Sequence, residues 1–355
     1  MRVAVIGGDG IGPEVAGAGV RVLEAAAERD PSLQLSFTQF PWGCEYYLEH
    51  GRMMPEDGLD SLSGFDVIYL GAVGWPTVPD HVSLWGLLLP IRRGFDQYVN
   101  LRPTRLLRGV ESPLASPRSL DITVVRENTE GEYSDSGGRM FEGTPHELAV
   151  QESIFTRRGV ERILRYAYEE ARGRRGLLVG ATKSNGISIT MPFFDEIFRE
   201  VGEEYPDVEA SLMHADALAA RIVLDPEGFD VIVGSNLLGD ILSEVTAAVC
   251  GAIGVAPSAN LNPEREYPSL FEPIHGSAPD IAGSHCANPS GAIWAGALLL
   301  EHVGYPEAGE RVLDALEDAL ASGTKTPDLG GSATTEEMTQ AVIDRLPQAA
   351  DRPSF

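Results

Sequence analysis

VAVIGGDGIGP, residues 3–13, is a short apolar strand that runs into a glycine-rich turn. An alanine-rich helix follows to about Asp30, with Pro13 in its first turn. Other short Val/Ile-rich strands are predicted, with helical segments between them, at Phe65–Gly71, Asp121–Glu127, Gly176–Ala181 and Asp230–Gly234. Strands that alternate with helices predict an α/β fold with a large, substantially parallel sheet flanked by helices.

The glycines of this first turn do not form a dinucleotide-binding fingerprint. No frame places three glycines at the required offsets, and the second strand, near Leu33–Phe40, ends without the acidic residue that would hold a ribose. We therefore predict that the fold is not a Rossmann fold. The glycines are expected to let the backbone come close to a ligand or to another loop.

Composition limits the possible partners and compartment. The chain has 355 residues, enough for two domains or one large lobed domain, and a formal net charge of -26. That charge argues against nucleic acid or an anionic membrane surface as a partner. Three scattered cysteines, no signal-peptide pattern and no apolar stretch of membrane-spanning length predict a soluble protein of the cytoplasm.

Two carboxylates four residues apart, Asp240 and Glu244, lie in a largely apolar stretch. At helical spacing they share one face and repel each other unless a cation lies between them, and a divalent ion with oxygen ligands is the natural candidate. The alternative is two acids near a helix N-terminus, capped by Asn236. Asp216 adds a third acid after a possible strand near Val208–Met213, and taken alone it suits a helix cap.

The basic residues of the chain are nearly all arginine. Of the 27 basic residues, only Lys183 and Lys325 are lysine. A lysine in such a chain suggests a role that arginine cannot fill, because lysine can lose its proton and arginine cannot. For Lys325, in a turn, chance is the accepted explanation. Seven arginines cluster between residues 91 and 126: Arg92, Arg93, Arg102, Arg105, Arg108, Arg118 and Arg126.

Guanidinium groups match carboxylates in a bidentate way, although a set of ordinary surface cations is the alternative for any single arginine. Tyr133 follows Arg126 closely and can serve as a proton donor near the same cleft, although most tyrosines only pack. Together with the acids, these residues suit a metal-chelated hydroxy acid, because chelation lowers the pKa of the hydroxyl.

The loop Glu272–Gly283, followed by Ala287–Pro289, has small and polar residues suited to a flat ligand such as adenine. Asp280 can accept hydrogen bonds from a ribose diol, and its charge would repel a 2′-phosphate. The alternative is a structured loop in which Asp280 caps a helix.

Four motifs carry a resemblance to a known family: Asn100–Pro103 (NLRP), Val125–Gly131 (VRENTEG), Gly239–Ser243 (GDILS) and the loop Glu272–Gly283. With them the chain resembles, from Val3 to about Leu346, the isopropylmalate/isocitrate dehydrogenase family of metal-dependent β-decarboxylating dehydrogenases. Three further segments resemble its tartrate/D-malate dehydrogenase branch, namely Gly71–Pro76, Asp80–Gly86 and Pro257–Arg265.

The resemblance implies a role for each matching residue. The substrate carboxylates would be bound by Arg92, Arg102 and Arg126, with Trp85 shaping the pocket. Mg²⁺ or Mn²⁺ would be bound by Asp216, Asp240 and Glu244. The general base would be Lys183 and the proton donor Tyr133. NAD, preferred over NADP because of Asp280, would contact Ile11, His275, Gly276, Ser277, Ala278, Asp280 and Asn288.

The family usually has aspartate where this chain has Glu244, which is one methylene longer. Lys183 and Asp216 would reach the site from the other subunit of a homodimer. The implied fold has two lobes: residues 1–99 plus 253–355 bind the cofactor, and residues 100–252 form the dimer and the metal and substrate site. An arm is expected near residues 135–155.

The implied reaction oxidises and decarboxylates a small 2-hydroxy dicarboxylate, D-malate to pyruvate and CO₂, or tartrate. Lys183 would take the hydroxyl proton as hydride leaves for NAD⁺, and Tyr133 would protonate the carbon that loses CO₂. One alternative is 3-isopropylmalate as substrate, against which Trp85 argues by filling or reshaping the alkyl pocket. An alternative of another class is a non-redox sensor of hydroxy acids.

Overall fold

A ten-stranded mixed sheet runs through the protein in the computed structural model, which describes residues 1–115, 119–251 and 253–348. An exposed two-stranded hairpin, β6 and β7, is separate from it. The strands are β1 (Arg2–Gly8), β2 (Ser36–Phe40), β3 (Val67–Ala72), β4 (Val99–Arg105), β5 (Asp121–Glu127), β6 (Gly137–Met140), β7 (Leu148–Gln151), β8 (Leu177–Thr182), β9 (Glu209–His214), β10 (Val231–Gly234), β11 (Pro257–Leu261) and β12 (Ser269–Pro273).

Helices connect most of these strands and cover the sheet. A π-helical turn, Leu84–Leu88, lies between the fourth and fifth helices, and there are 3₁₀ turns at Pro226–Gly228 and Pro327–Leu329. The helices are α1 (Gly12–Arg29), α2 (Cys44–His50), α3 (Gly58–Ser63), α4 (Asp80–Ser83), α5 (Leu89–Gly94), α6 (Arg157–Arg172), α7 (Thr190–Gly202), α8 (Ala215–Leu224), α9 (Asn236–Val249), α10 (Ser290–His302), α11 (Pro306–Ala321) and α12 (Thr335–Arg345).

The sheet order is β2-β1-β3-β12-β11-β4-β5-β10-β8-β9. The two outer parts are parallel, whereas β12, β11, β4 and β5 pair antiparallel in the middle. This confirms the predicted α/β fold with a mixed, mostly parallel sheet. Its strand order also differs from the 3-2-1-4-5-6 order of a Rossmann sheet.

Strand β1 shows why the opening residues decide the fold. Val3 and Val5 pack into the core on one face of the sheet, and Ala4 and Ile6 pack into the core on the other. Because both faces are covered, the strand is a continuous apolar run between its parallel neighbours β2 and β3.

The glycine-rich turn after β1 brings two other segments against its backbone. Gly8 has a φ of 73°, and the next amide, that of Asp9, donates to the carbonyl oxygen of Ala72 at 2.7 Å. Gly10 has a φ of 59°, and a Cβ atom there would lie 2.0 Å from the carbonyl oxygen of Ser277. The prediction that these glycines permit a close backbone approach is confirmed, and the neighbour is the predicted cofactor loop.

Strands from residues 2–72 and 257–273 form one part of the sheet, and strands from residues 99–234 form the other. They meet where β11 pairs with β4. The division into two lobes stays a prediction. Residues 116–118, 252 and 349–355 of these lobes lie outside the described residues, and Arg118 of the arginine cluster is among them.

Helix α6 begins after Thr156, whose side chain accepts a hydrogen bond from the amide of Gly159 at 2.9 Å. The β6–β7 hairpin lies in the region for which an arm is predicted, and its strand residues are all exposed. No helix within the described ranges is both long and apolar enough to cross a membrane.

Candidate active site

Arg102 and Arg126 project from neighbouring antiparallel strands onto one face of the sheet. Asn100 lies opposite Arg126 in the β4–β5 register, and Arg102, two residues further along β4, shares that face. Both guanidinium groups are buried. Burial lowers the pKa of each below its usual value, but arginine remains a cation at neutral pH. Two buried cations require nearby anions.

Asp240 and Glu244 of α9 supply those anions. Asp240 forms a short ion pair with Arg126, and its Oδ1 lies 3.0 Å from Nη1 of Arg102. Its Oδ2 accepts a 2.7 Å hydrogen bond from the hydroxyl of Tyr133. Glu244 is looser: its Oε1 lies 3.7 Å from Nη1 of Arg102, and half of its side chain is exposed.

The same contacts set the proton affinities of these groups. Burial alone would raise the pKa of Asp240, but Arg126 and Arg102 outweigh it and hold the pKa below its usual value. The pKa of Glu244 is raised, because burial outweighs the attraction of Arg102. Burial and the bond to Asp240 raise the pKa of Tyr133, so its hydroxyl keeps its proton at neutral pH.

The start of α9 is fixed by residues that the sequence analysis did not single out. The prediction that Asn236 caps the helix is wrong. The N-cap residue is Ser235, whose hydroxyl accepts a hydrogen bond from the Leu238 amide at 3.4 Å. Glu132 supports this end, accepting from the Ser235 hydroxyl at 2.7 Å and from the Leu237 amide at 3.0 Å.

Asn236 serves Arg126 instead of capping the helix. Its Oδ1 accepts from Nε and Nη2 of Arg126 at 3.0 and 2.7 Å. Its Nδ2 donates to the carbonyl oxygen of Glu130 at 3.0 Å. An uncharged amide thus accepts from Nε and Nη2 of Arg126 and leaves Nη1 for the carboxylate of Asp240.

Arg92 of α5 is also buried, but its partner comes from β12. Its Nη2 donates to Oε1 of Glu272 at 3.0 Å, and both side chains are buried. The Nε atoms of Arg92 and Arg102 are buried without a hydrogen-bond partner among the described residues. Each of these donors thus lacks the hydrogen bond that a buried polar atom normally makes.

Trp85 contacts Arg93, which is not one of the three arginines predicted to bind the substrate. It belongs to the π-helical turn, an element that is frequent at functional sites. The Cζ atom of Arg93 lies 4.9 Å from its ring centroid, and Nη2 of Arg93 donates to the carbonyl oxygen of Tyr133 at 2.6 Å. A cavity of about 510 Å³ adjoins it, lined by His81, Trp85, Ser134–Gly138, Val150 and Gln151.

Two other arginines of the predicted cluster have structural partners. Nη2 of Arg105 and Nε of Arg108 lie 2.5 and 2.6 Å from the carboxylate of Glu317 in α11. Arg105 and Arg108 therefore match the alternative given for the cluster, ordinary cations that are paired with an acidic side chain of the protein.

Lys183 and Asp216 form a second, separate group. Nζ of Lys183 lies 2.8 Å from Oδ2 of Asp216, and the Asp216 side chain is mostly exposed. Lys183 lowers the pKa of Asp216. Helix α8 begins at Ala215 with His214 at the N-cap position, so Asp216 stands in the first turn and is not the predicted cap.

The sheet order explains why the two groups are apart. Arg126, Lys183 and Asp216 stand at or just after the carboxyl ends of β5, β8 and β9. In the order β5-β10-β8-β9, with about 4.8 Å between strands, the ends of β5 and β9 are about 14 Å apart. No group of three or more Asp, Glu, His or Cys side chains able to hold a metal occurs within residues 1–115, 119–251 and 253–348.

The donor chemistry nevertheless fits a hard divalent cation. Asp240 and Glu244 are oxygen donors on one helix face, and Asp216 is a third, exposed oxygen donor. One chain thus offers the first two at one place and the third at another.

The predicted cofactor residues lie on the loop between β12 and α10, together with the turn after β1. The amide of Ile11 donates to the carbonyl oxygen of Ser277 at 2.9 Å. Burial lowers the pKa of His275, and its Nε2 is buried without a partner in the described part of the chain. Such an imidazole nitrogen can meet a polar atom of a bound nucleotide.

The rest of this loop leaves its surface open. Ala278 adopts a φ of 38°, which is rare for a residue with a side chain, and nothing lies within 4 Å of a Cβ atom added at Gly276. Asp280 is exposed, and no helix begins there, so the helix-cap alternative for it is wrong. Asn288 is anchored by its Nδ2, which donates to Asp328 at 2.8 Å.

Known proteins match the chain over nearly its whole length. The family model described as isocitrate/isopropylmalate dehydrogenase matches residues 2–342. D-malate dehydrogenase [decarboxylating] of Escherichia coli (strain K12) is 58% identical over 352 residues, which cover 96% of this chain and 97% of that protein. Tartrate dehydrogenase/decarboxylase of Pseudomonas putida is 54% identical over 357 residues, with 98% of each covered.

A solved structure supports the same grouping. The crystal structure of isocitrate dehydrogenase from Methylococcus capsulatus matches with a TM-score of 0.87 and 33% identity, covering 97% of this chain and 99% of that one. Together with the sequence relatives, this match excludes the sensor alternative as the chain's class, because these are decarboxylating dehydrogenases. The chain is an oxidoreductase enzyme, and it belongs to the isocitrate/isopropylmalate dehydrogenase family.

Proposed function

We propose that the enzyme catalyses the metal-dependent, NAD-linked oxidative decarboxylation of a small 2-hydroxy dicarboxylate, D-malate to pyruvate and CO₂, or tartrate. The observation that carries the proposal is the convergence of Tyr133, Arg102 and Arg126 on Asp240. A proton donor, two carboxylate-binding cations and a metal-type oxygen donor thus lie within one hydrogen-bonded group.

Charge balance supports the type of substrate. Three buried or half-buried anions, Asp240, Glu244 and Glu272, face three buried cations, Arg92, Arg102 and Arg126. A doubly charged dicarboxylate and a divalent cation can enter this balanced group together without leaving a net charge in it. A monocarboxylate or a neutral alcohol cannot.

The residues of the chain divide the reaction between them. Arg92, Arg102 and Arg126 bind and orient the two carboxylates. Lys183 removes the hydroxyl proton, and Tyr133 donates a proton to the carbon from which CO₂ departs. Asp240, Glu244 and a partner's aspartate would hold Mg²⁺ or Mn²⁺, which would polarise the hydroxyl and the carbonyl, and bound NAD⁺ would serve as the hydride acceptor. D-malate and NAD⁺ give pyruvate, CO₂ and NADH.

The proposed working unit is a homodimer with shared sites. Lys183 and Asp216 stand about two and three strands away from Arg126, so a second chain is needed to bring such residues to Tyr133 and Asp240. Exposed apolar side chains supply a contact surface on the hairpin and near α7, α8 and α9: Met140, Phe141, Leu148, Val150, Ile187, Ile189, Leu224 and Ile241.

The preference for NAD over NADP rests on Asp280. Its exposed carboxylate stands on the predicted cofactor loop, where it can accept from a ribose diol and repel a 2′-phosphate. The two-lobe division and a cytoplasmic location belong to the same proposal.

The test is a substrate panel read by NADH absorbance. D-malate, tartrate and 3-isopropylmalate are each supplied with NAD⁺ or NADP⁺ and with Mg²⁺, Mn²⁺ or a chelator. We expect NAD⁺ reduction that a chelator removes, with kcat/KM highest for D-malate or tartrate. Highest kcat/KM for 3-isopropylmalate would favour the alternative against which Trp85 argues, and no metal-dependent reduction with any of them would contradict the proposal.

A further inference from the structure

A buried network of amide side chains lies behind the arginines and centres on Asn260 of β11. Nδ2 of Asn260 donates to Oε1 of Glu272 at 2.8 Å. Oδ1 of Asn260 accepts two hydrogen bonds, from Nδ2 of Asn100 at 3.0 Å and from Nδ2 of Asn128 at 2.9 Å. Asn260 and Asn100 are completely buried, and Asn128 is nearly so.

These contacts determine which way the Asn260 amide points. A carboxylate accepts and does not donate, so Glu272 must face the NH₂ group of Asn260. The oxygen of Asn260 then faces two donors. Any turn of the amide by 180° would set oxygen against oxygen and NH₂ against NH₂ at a site without solvent, at the cost of several buried hydrogen bonds.

Through these bonds Asn260 reaches the elements that carry all three arginines. The same Oε1 of Glu272 that accepts from Asn260 accepts from Nη2 of Arg92 at 3.0 Å. Asn100 stands two residues before Arg102 on β4, directly opposite Asn260 in the strand register. Asn128 stands two residues after Arg126, just beyond β5.

The network also bridges the junction of the sheet. Asn260 and Glu272 belong to β11 and β12, whereas Asn100 and Asn128 belong to the segment of β4 and β5. The β11–β4 pair is the place where the two parts of the sheet meet. The network therefore connects Arg92, through Glu272 and Asn260, to the strand that carries Arg102.

We propose that Asn260 is a positioning residue for substrate binding, which holds Arg92, through Glu272, in register with Arg102 and Arg126. Asn260 itself does not touch the substrate. This inference rests on the proposed function, because it assumes that the arginines bind a dicarboxylate. Asn260 is not among the residues predicted to bind the substrate, the metal or the cofactor. It is uncharged and does not line the cleft.

The test compares Asn260→Asp with the matched variant Asn262→Asp. Asn260→Asp keeps the acceptor for Asn100 and Asn128 but replaces the donor to Glu272 with an oxygen. Asn262, two residues along the chain, is equally buried, and its Oδ1 accepts from the amides of Glu266 and Tyr267 at 2.8 and 3.2 Å. Asn262→Asp also replaces an amide with a carboxylate, but at a residue that has no hydrogen bond to Asn100, Asn128 or Glu272.

We expect Asn260→Asp to raise KM for D-malate about tenfold or more, because charged hydrogen bonds to the substrate are weakened. We expect kcat to fall by less than about threefold, since the arginines bind ground state and transition state alike. Asn262→Asp should leave KM within about twofold of the parent. Calorimetric titration of D-malate without NAD⁺ should show the same order of affinities.

Asn260→Ser, which adds no charge, provides a second variant if Asn260→Asp does not fold, and the same rise in KM is expected. Unchanged KM and affinity in both variants, or equal losses in Asn260→Asp and Asn262→Asp, would overturn the inference while leaving the proposed function intact. A parent enzyme that neither binds nor oxidises a hydroxy dicarboxylate would instead contradict the proposed function, and the inference with it.

Discussion

The hydroxyl of Tyr133 donates a 2.7 Å hydrogen bond to Oδ2 of Asp240. The predicted proton donor, Tyr133, therefore contacts the predicted metal ligand Asp240, although 107 residues separate them in the chain. Loop carboxylates hold Tyr133 in this position: Glu132 binds the start of α9, and Glu130 binds the N-cap residue Thr156 of α6. The donor is thus carried on a loop that two helix ends fix.

Tyr133→Phe removes this donor and keeps the ring. Proton donation by a positioned side chain contributes about 10²- to 10⁴-fold, so we expect kcat for D-malate to fall by at least about a hundredfold. Pyruvate and NADH formation are measured side by side with Tyr267→Phe, a change at an exposed tyrosine. Activity within a few-fold of the parent would remove Tyr133 from its role.

Lys183→Arg tests the general base. Arginine can keep the ion pair with Asp216 but stays protonated and cannot accept the hydroxyl proton. We expect turnover to be lost while the circular dichroism spectrum and the mass of the proposed dimer stay unchanged. The matched control is Lys325→Arg, at the only other lysine of the chain, which should remain active. Turnover retained by Lys183→Arg would assign the base elsewhere.

Mixed dimers test whether sites are shared. If Tyr133 of one subunit works with the other subunit's copy of Lys183, a heterodimer of Tyr133→Phe and Lys183→Arg chains has one intact site. Random exchange makes half the dimers heterodimers, so about a quarter of the parent activity should return on mixing. Two inactive homodimers that stay inactive after demonstrated subunit exchange would show that each site is built within one chain.

Asp240 and Glu244 should contribute unequally to metal binding. Asp240 is held by two arginines and Tyr133, whereas Glu244 is half exposed and lies 3.7 Å from Arg102. We expect Asp240→Asn to weaken Mn²⁺ binding at least about tenfold and Glu244→Gln to weaken it less. Calorimetric Mn²⁺ titration of both variants measures the two affinities. Equal losses of affinity would mean that Glu244 contributes as much to metal binding as Asp240 does.

The sequence predicted those site residues that stand in motifs or carry conspicuous charge. Arg102, Arg126 and Asp240 were expected together, and the sheet brings them together because β4 pairs with β5 and α9 packs on β5. The separation of Lys183 from this group in one chain depends on the order of β10, β8 and β9, which local patterns do not encode.

Uncharged partners were missed for a different reason. Asn260 lies 160 residues from Asn100 in the chain, and their hydrogen bond depends on the β4–β11 register. The sequence predicts a helix cap at Asn236, because asparagine at a helix start commonly has that role. The apolar strand that ends in Arg126 gives no sign that this arginine needs an amide acceptor.

Glu127 provides a pH-dependent test of how the loop before Tyr133 is held. Its carboxylate accepts from the amides of Thr129 and Glu130 at 3.0 and 2.8 Å, and burial raises its pKa from about 4.5 to about 7. A folded-state pKa above the unfolded value means that folding takes up a proton between these two values. This contribution to stability is therefore complete below about pH 4.5 and is lost as the pH rises through 7.

Replacing Glu127 with glutamine removes this titration. Between pH 5 and pH 8, we expect the parent to lose up to about 3 kcal/mol of unfolding free energy relative to Glu127→Gln, from about 1.4 kcal/mol per pKa unit. Urea unfolding of both proteins across this range measures the difference, which cancels the other titrating groups. Glu127→Gln has its own constant cost, because its amide accepts on one oxygen only, so the slope with pH and not the offset is diagnostic. Parallel curves for the two proteins would mean that Glu127 ionises in the folded loop as it does in the unfolded chain.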